Sequence, residues 1–154
     1  MTQANPGVEA FVLDASVAVI WHLPNEPHTA QAERVLDLFQ AGSIALSAPT
    51  HIIYEVSSAI TVATRGRQAR LTSEEGRAAV DRFLRLGVRT LNGSELAREA
   101  YEFALESGVA FYDALYGALS RRLGIPLVVA DRPFYLRARS HIDAIWIGNF
   151  RSIV

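Results

Sequence analysis

FVLDASVAVIWHL, residues 11–23, decides how the rest of the chain is read. Phe11, Val12 and Leu13 make a short buried strand, Asp14 follows at once, and the apolar stretch 17–23 continues as a helix until Pro24 stops it. Strand, acidic turn and short helix form the unit from which parallel sheets are built.

The same alternation continues outward from this segment. Residues 28–40 have helical periodicity through Ala32, Val35, Leu36 and Phe39, end near Gly42, and lead to a second strand at 44–46. Pro49 then opens a helix over about 50–65, with Ile52, Ile53, Val56, Ala59, Ile60 and Ala63 on its buried face. A helix from Ser73 ends at Gly87, a strand follows at 88–91, and amphipathic helices at 94–107 and 112–123 close at Gly108 and Gly124. A strand at 127–129, a short helix at 134–139 and a strand at 144–147 complete the series. The pattern predicts an α/β fold, a central parallel sheet with helices on both faces. Neither a repeat nor a linker interrupts it, so one domain over residues 1–154 is expected, with 1–7 as a flexible N-terminus.

Composition narrows the chemistry. The 154 residues are half hydrophobic with a net charge of −1, and no apolar run reaches the roughly 20 residues a membrane helix requires. The N-terminal segment has no basic region followed by an apolar one, so a cytoplasmic, unprocessed protein with no membrane association is expected. With no cysteine there is neither a disulfide framework nor a thiolate nucleophile, and any metal must sit on oxygen or imidazole. All fifteen basic residues are arginine. The absence of lysine excludes a Walker A loop and pyridoxal phosphate chemistry. It also argues against receiver domains and haloacid-dehalogenase-like phosphatases, which pair a lysine with their aspartate. No GxSxG or GxGxxG is present, and His22, His28, His51 and His141 lack metal-ligand spacing and read as surface or satisfied groups.

Open parallel sheets bind ligands at the carboxyl ends of their strands. Asp14 follows the first strand, Asp131 follows the fourth after Ala130, and Asp113 begins a helix. Each aspartate alone reads as a helix cap. Glu55 lies one turn into its helix, in a row with Ile52, Ala59 and Val62. A carboxylate in an apolar row requires a cation, a metal or an exit to water, and on this argument Glu55 is the strongest single site residue. Two like charges ~4 Å apart repel by about 4 kcal/mol at an effective dielectric of 20. Converging carboxylates therefore call for a divalent ion, and an all-oxygen set favours Mg²⁺ or Mn²⁺ over zinc. Ser16 places a hydroxyl beside the same strand end, to bind metal water or a scissile phosphate or else to cap a backbone amide. Arg65, Arg67 and Arg70, and Arg121, Arg122, Arg132, Arg137 and Arg139, could line a phosphate path or form a solvated face. Trp21, Phe134 and Tyr135 could stack on bases, although packing explains Trp21 equally well.

Three segments together resemble the PIN-domain family, and within it the VapC-type toxins of toxin–antitoxin pairs. FVLDASVAVIWHLPNE resembles its first motif, a strand ending in aspartate with Ser or Thr two residues on. YEVSSAI resembles the helix with the family glutamate, and FYDALYGALSRRLGIPLVVADRPF resembles the paired third and fourth acidic motifs. The resemblance covers nearly the whole chain and holds at every acidic position. It implies a PIN-like three-layer fold and an endoribonuclease in which Asp14, Glu55, Asp113 and Asp131 hold Mg²⁺ or Mn²⁺ and Ser16 assists. It further implies hydrolysis of RNA by metal-activated water to a 5′-phosphate and a 3′-hydroxyl, on tRNA, ribosomal RNA or mRNA. A homodimer and a cognate VapB-type antitoxin are also implied. A non-cleaving PIN-like module that binds RNA or a partner, and a metal-dependent phosphatase of small molecules, share the same acids and stay open at this point.

Overall fold

In the computed structural model, which describes residues 7–151, the chain alternates strands and helices. The expected flexible segment 1–7 lies, apart from Gly7, outside the described residues. The order is β1 (Glu9–Leu13), α1 (Ala15–Ile20), α2 (Thr29–Gln40), β2 (Ile44–Pro49), α3 (Ile52–Thr64), α4 (Ser73–Arg85), β3 (Arg89–Leu91), α5 (Gly93–Ser107), α6 (Phe111–Leu123), β4 (Leu127–Val129), α7 (Arg132–Ala138) and β5 (Ala144–Trp146). A 3₁₀ turn at Ile147–Asn149 follows. The five strands form one all-parallel sheet in the order β3-β2-β1-β4-β5, flanked by the seven α-helices. The expected α/β architecture is therefore present.

Burial explains the strand sequences. β4 and the carboxyl half of β1 are covered on both faces and accordingly read as apolar runs, with Val12, Leu13, Leu127, Val128 and Val129 all at 0 % exposure, whereas β1 opens on the partly exposed Glu9 and Ala10. On one side α6 packs against β1 and β2 and supports α5. That contact is close because position 117 is glycine: a Cβ there would stand 2.5 Å from the Phe103 ring.

The first helix covers Ala15–Ile20 rather than running through the whole stretch to Pro24, and two further boundaries differ from the sequence reading for identifiable reasons. Pro49 does not open the helix but ends β2, paired with Leu91, and Ser47 and Ala48 extend that strand beyond the expected 44–46. A proline is tolerated at that terminal position because little ladder remains to accept its missing N–H. The helix of Glu55 accordingly begins at Ile52. The last helix starts at Arg132, two residues before Phe134, because Asp131 caps it and Pro133 fits its first turn.

Candidate active site

Parallel strands bring all their carboxyl ends to one rim, and the strand order reverses direction between β1 and β4. That switch point is where a crevice opens in such sheets. Asp14 stands at the end of β1 and Asp131 just beyond β4.

Asp14 is buried at 4 % exposure. It caps α1: its carboxylate accepts from the Ser16 backbone N–H at 3.0 Å and from the Ser16 hydroxyl. The Ser16 Oγ in turn accepts from the backbone N–H of Ala130 at 2.8 Å. Ser16 thus ties the end of β1 to the end of β4, and its hydroxyl proton is committed to Asp14. Despite these donors, burial pushes the Asp14 carboxyl up to about 7, with Asp113 and Glu55 adding repulsion.

Asp113 is half-buried, and its N-terminal neighbours set its role. The cap of α6 is Ala110, so Asp113 occupies the first turn of the helix rather than its cap, contrary to the cap reading from sequence. Among the described residues no backbone N–H donates to its carboxylate. Burial raises its carboxyl to about 6, followed by repulsion from Asp131 and Glu55, with His51 partly offsetting them. Asp131 is exposed and caps α7, accepting from the Phe134 N–H at 3.0 Å. The carboxylates therefore form a connected set of mutual repulsions in which Asp113 feels both ends.

Glu55 corrects the sequence argument. Its row leads outward to Val62, which is 71 % exposed, and its own side chain is 38 % exposed. Glu55 has the exit to water, and the deeply buried acid is Asp14. Glu55 is instead fixed by two residues that sequence reasoning missed. The Tyr116 hydroxyl, on a wholly buried ring, donates to Oε1 at 2.9 Å. His51 Nε2 lies 2.8 Å from the same oxygen without forming an aligned hydrogen bond. Burial and the adjacent Asp14 and Glu55 raise the Tyr116 hydroxyl far above its ordinary value, which keeps it a proton donor. Both residues had a helical signal: Tyr116 is three after Asp113, and His51 is four before Glu55.

His51 is therefore not a surface group, and neither is His22. The latter is buried at 7 % exposure, neither ring nitrogen has a partner among the described residues, and burial lowers it to about 4, so it is neutral. Trp21 donates Nε1–H to the Ala32 carbonyl at 2.7 Å, which fits the packing reading. A surface cleft of about 600 Å³ opens between α3 and α4, lined by Ile60, Thr64, Gly76 and Val80, and the four acids do not line it.

The donor set suits a hard divalent cation: carboxylate oxygens that repel one another, with no arginine among the groups that shift Asp14 or Asp113. Among the described residues, no three acidic or histidine side chains already close around a common point as a finished cage.

A model of the family described as PIN domain matches residues 11–139. The chain belongs to the PIN-domain family. Among its relatives, Ribonuclease VapC12 of Mycobacterium tuberculosis is 35 % identical, with 79 % of this chain and 86 % of that protein aligned. Ribonuclease VapC3 of Pyrobaculum aerophilum is 28 % identical over 79 % of this chain and 89 % of its own. In fold, this PIN domain is similar to the crystal structure of VapC20 of Mycobacterium tuberculosis, a sarcin-ricin-loop-cleaving toxin. That match has a TM-score of 0.61 at 19 % identity and covers 86 % of this chain and 95 % of that one. The PIN domain is thus of the VapC type that the three sequence segments resemble. Among the described residues no helix is long and apolar enough to cross a membrane.

Proposed function

We propose that this PIN domain is an endoribonuclease, the toxin of a toxin–antitoxin pair, that hydrolyses RNA phosphodiester bonds with Mg²⁺ or Mn²⁺ held by Asp14, Glu55, Asp113 and Asp131. The observation that most supports the metal is Asp14: a carboxyl buried at 4 % exposure, pushed up to about 7, beside further acids and without an arginine to offset them. Such a group is stable in its ionised form only beside a cation. The likeness to VapC ribonucleases supports RNA as substrate.

In this reading a bound divalent ion supplies positive charge at the scissile phosphate and a water of lowered pKa. The chain's own residues fix the donors. Ser16 aims Asp14 and holds it against β4, Tyr116 and His51 aim Glu55, and α6 offers Asp113 from its first turn without a backbone claim on it. Such preorganisation is what orienting partners contribute at a metal site. By the same likeness, the partners are a VapB-type antitoxin and a second copy of this chain, and the protein works in the cytoplasm.

The test is cleavage of end-labelled RNA by purified protein with Mg²⁺ or Mn²⁺, in EDTA, and after Asp14→Asn. Cutting is expected only in the first arm, leaving 5′-phosphate ends. Cutting that survives EDTA or the substitution overturns the metal mechanism, and RNA bound but never cut points to a non-cleaving module.

A further inference from the structure

Among the described residues only three arginines are held by carboxylates, and most of the others have no carboxylate partner, so stacking rather than the lack of an ion pair singles out Arg132 and Arg139. Arg70 pairs with Glu26, Arg121 with Glu106 and Arg122 with Glu99, so their charge is answered within the fold. Arg132 has no carboxylate partner among the described residues. Its guanidinium lies over two rings instead, 5.0 Å from the Trp146 centroid and 5.5 Å from that of Tyr135. Arg139, also without a carboxylate partner among the described residues, brings a second cation over Tyr135, at 5.8 Å. Two like charges share the Tyr135 ring, one of them also over Trp146, and an anion between them would offset their repulsion.

The position of this cluster gives it meaning. Val129 pairs with Trp146, so the indole ends β5 on the same rim where Asp131 follows β4, and Arg132 is the next residue along. From β1 across β4 to β5 is two strand spacings, ~10 Å at about 4.8 Å each. The arrangement is also sterically built. The ring of His28 packs edge-on against Trp146 with centroids 5.3 Å apart, and a Cβ at position 148 would meet Trp146 Nε1 at 2.7 Å and His28 Cε1 at 3.1 Å, so glycine there leaves the pair its room.

We propose that Arg132 and Arg139, braced on Trp146 and Tyr135, form the wall that binds unpaired RNA beside the scissile bond, their guanidinium groups taking a backbone phosphate and the flank of an adjacent base. Aromatic contact holds the guanidinium plane and leaves its N–H edge free, a geometry suited to phosphate and to unstacked bases. The proposal rests on the ribonuclease reading and adds the direction in which the strand leaves the site, toward β5 rather than toward α3.

Binding and cleavage separate the two readings. In an Asp14→Asn background, the affinity for a fluorescent single-stranded RNA is measured against salt for the parent, for Arg132→Gln with Arg139→Gln, and for Arg122→Gln as a paired-arginine control. Two lost phosphate contacts should lower the slope of log affinity against log salt by about 1.4, which corresponds to about 25-fold weaker binding at 0.1 M salt, and the control should match the parent. In the cleaving protein the double variant should raise KM far more than it lowers kcat. Arg132→Lys should keep the salt slope yet recover only part of the affinity, because an ammonium does not stack as a plane. An unchanged slope and affinity in the double variant overturns the wall while leaving the ribonuclease reading standing. Unchanged RNA binding with an altered assembly mass assigns the cluster to a protein contact, and overturns it too. If the wild type cuts no RNA but the double variant loses RNA binding, the wall stands and the cleavage reading falls.

Discussion

The Asp14 carboxyl accepts from both donors of Ser16 and is still pushed up to about 7, because burial outweighs the hydrogen bonds. An unfolded Asp14 releases its proton near 3.8, whereas the folded one keeps it to about 7. The folded state therefore binds more protons in between, and the stability of the metal-free protein should fall as pH rises from about 4 to about 7, then level off. Asp113 adds a change of the same sign up to about 6. For Asp14 alone the span corresponds to on the order of 4 kcal/mol. Asp14→Asn should thus raise the melting temperature in EDTA at pH 7.5 and change it little at pH 4, while abolishing cleavage; a variant less stable at pH 7.5 would refute the charge argument. Tyr116→Phe should cost about 1 kcal/mol in denaturant unfolding, the ordinary worth of a lost hydrogen bond, and should slow cleavage by loosening Glu55. At this scale the sequence was legible in composition but not in depth. Periodicity put Glu55 in an apolar row, yet could not tell that the row runs out to an exposed Val62. Asp14 looked like an ordinary cap because nothing local reveals that α1 and β4 seal it from water.

Helix caps and acids of the proposed metal site coincide in two of the elements. Asp131 both caps α7 and stands on the site rim, so the two roles can be separated by substitution. Asp131→Asn retains a good cap and should leave stability within a few tenths of a kcal/mol while lowering cleavage, whereas Asp131→Ala should cost about 1 kcal/mol more. Equal stability for the two would remove the cap from the account. At the α5–α6 contact, Gly117→Ala should destabilise by about 1–3 kcal/mol in chemical denaturation, since the new methyl meets the buried Phe103 ring. Elements with strong periodicity, such as α2 and α6, fell within a residue of their expected spans. Pro49 was misplaced because its strand character comes from pairing with Leu91, a partner 42 positions away that no local window includes.

Across the whole molecule, the sheet order β3-β2-β1-β4-β5 assembles a rim rich in negative charge from distant parts of the chain. Adding Mg²⁺ or Mn²⁺ at pH 7.5 should raise the melting temperature of the wild type and leave Asp14→Asn much less affected; an equal rise in both would place the ion elsewhere. The order of the strands was not readable from alternation, which predicts a parallel sheet without saying which strands are neighbours. The link between Ser16 and Ala130 spans 114 positions of sequence. A ribosome adding about 5–20 residues per second has made Asp14, Glu55 and Asp113 seconds before β4 exists to seat the first of them. On the proposed metal mechanism the growing chain holds three of its four acids before the site can close, so cleavage should begin only once β4 has been made and lies alongside β1.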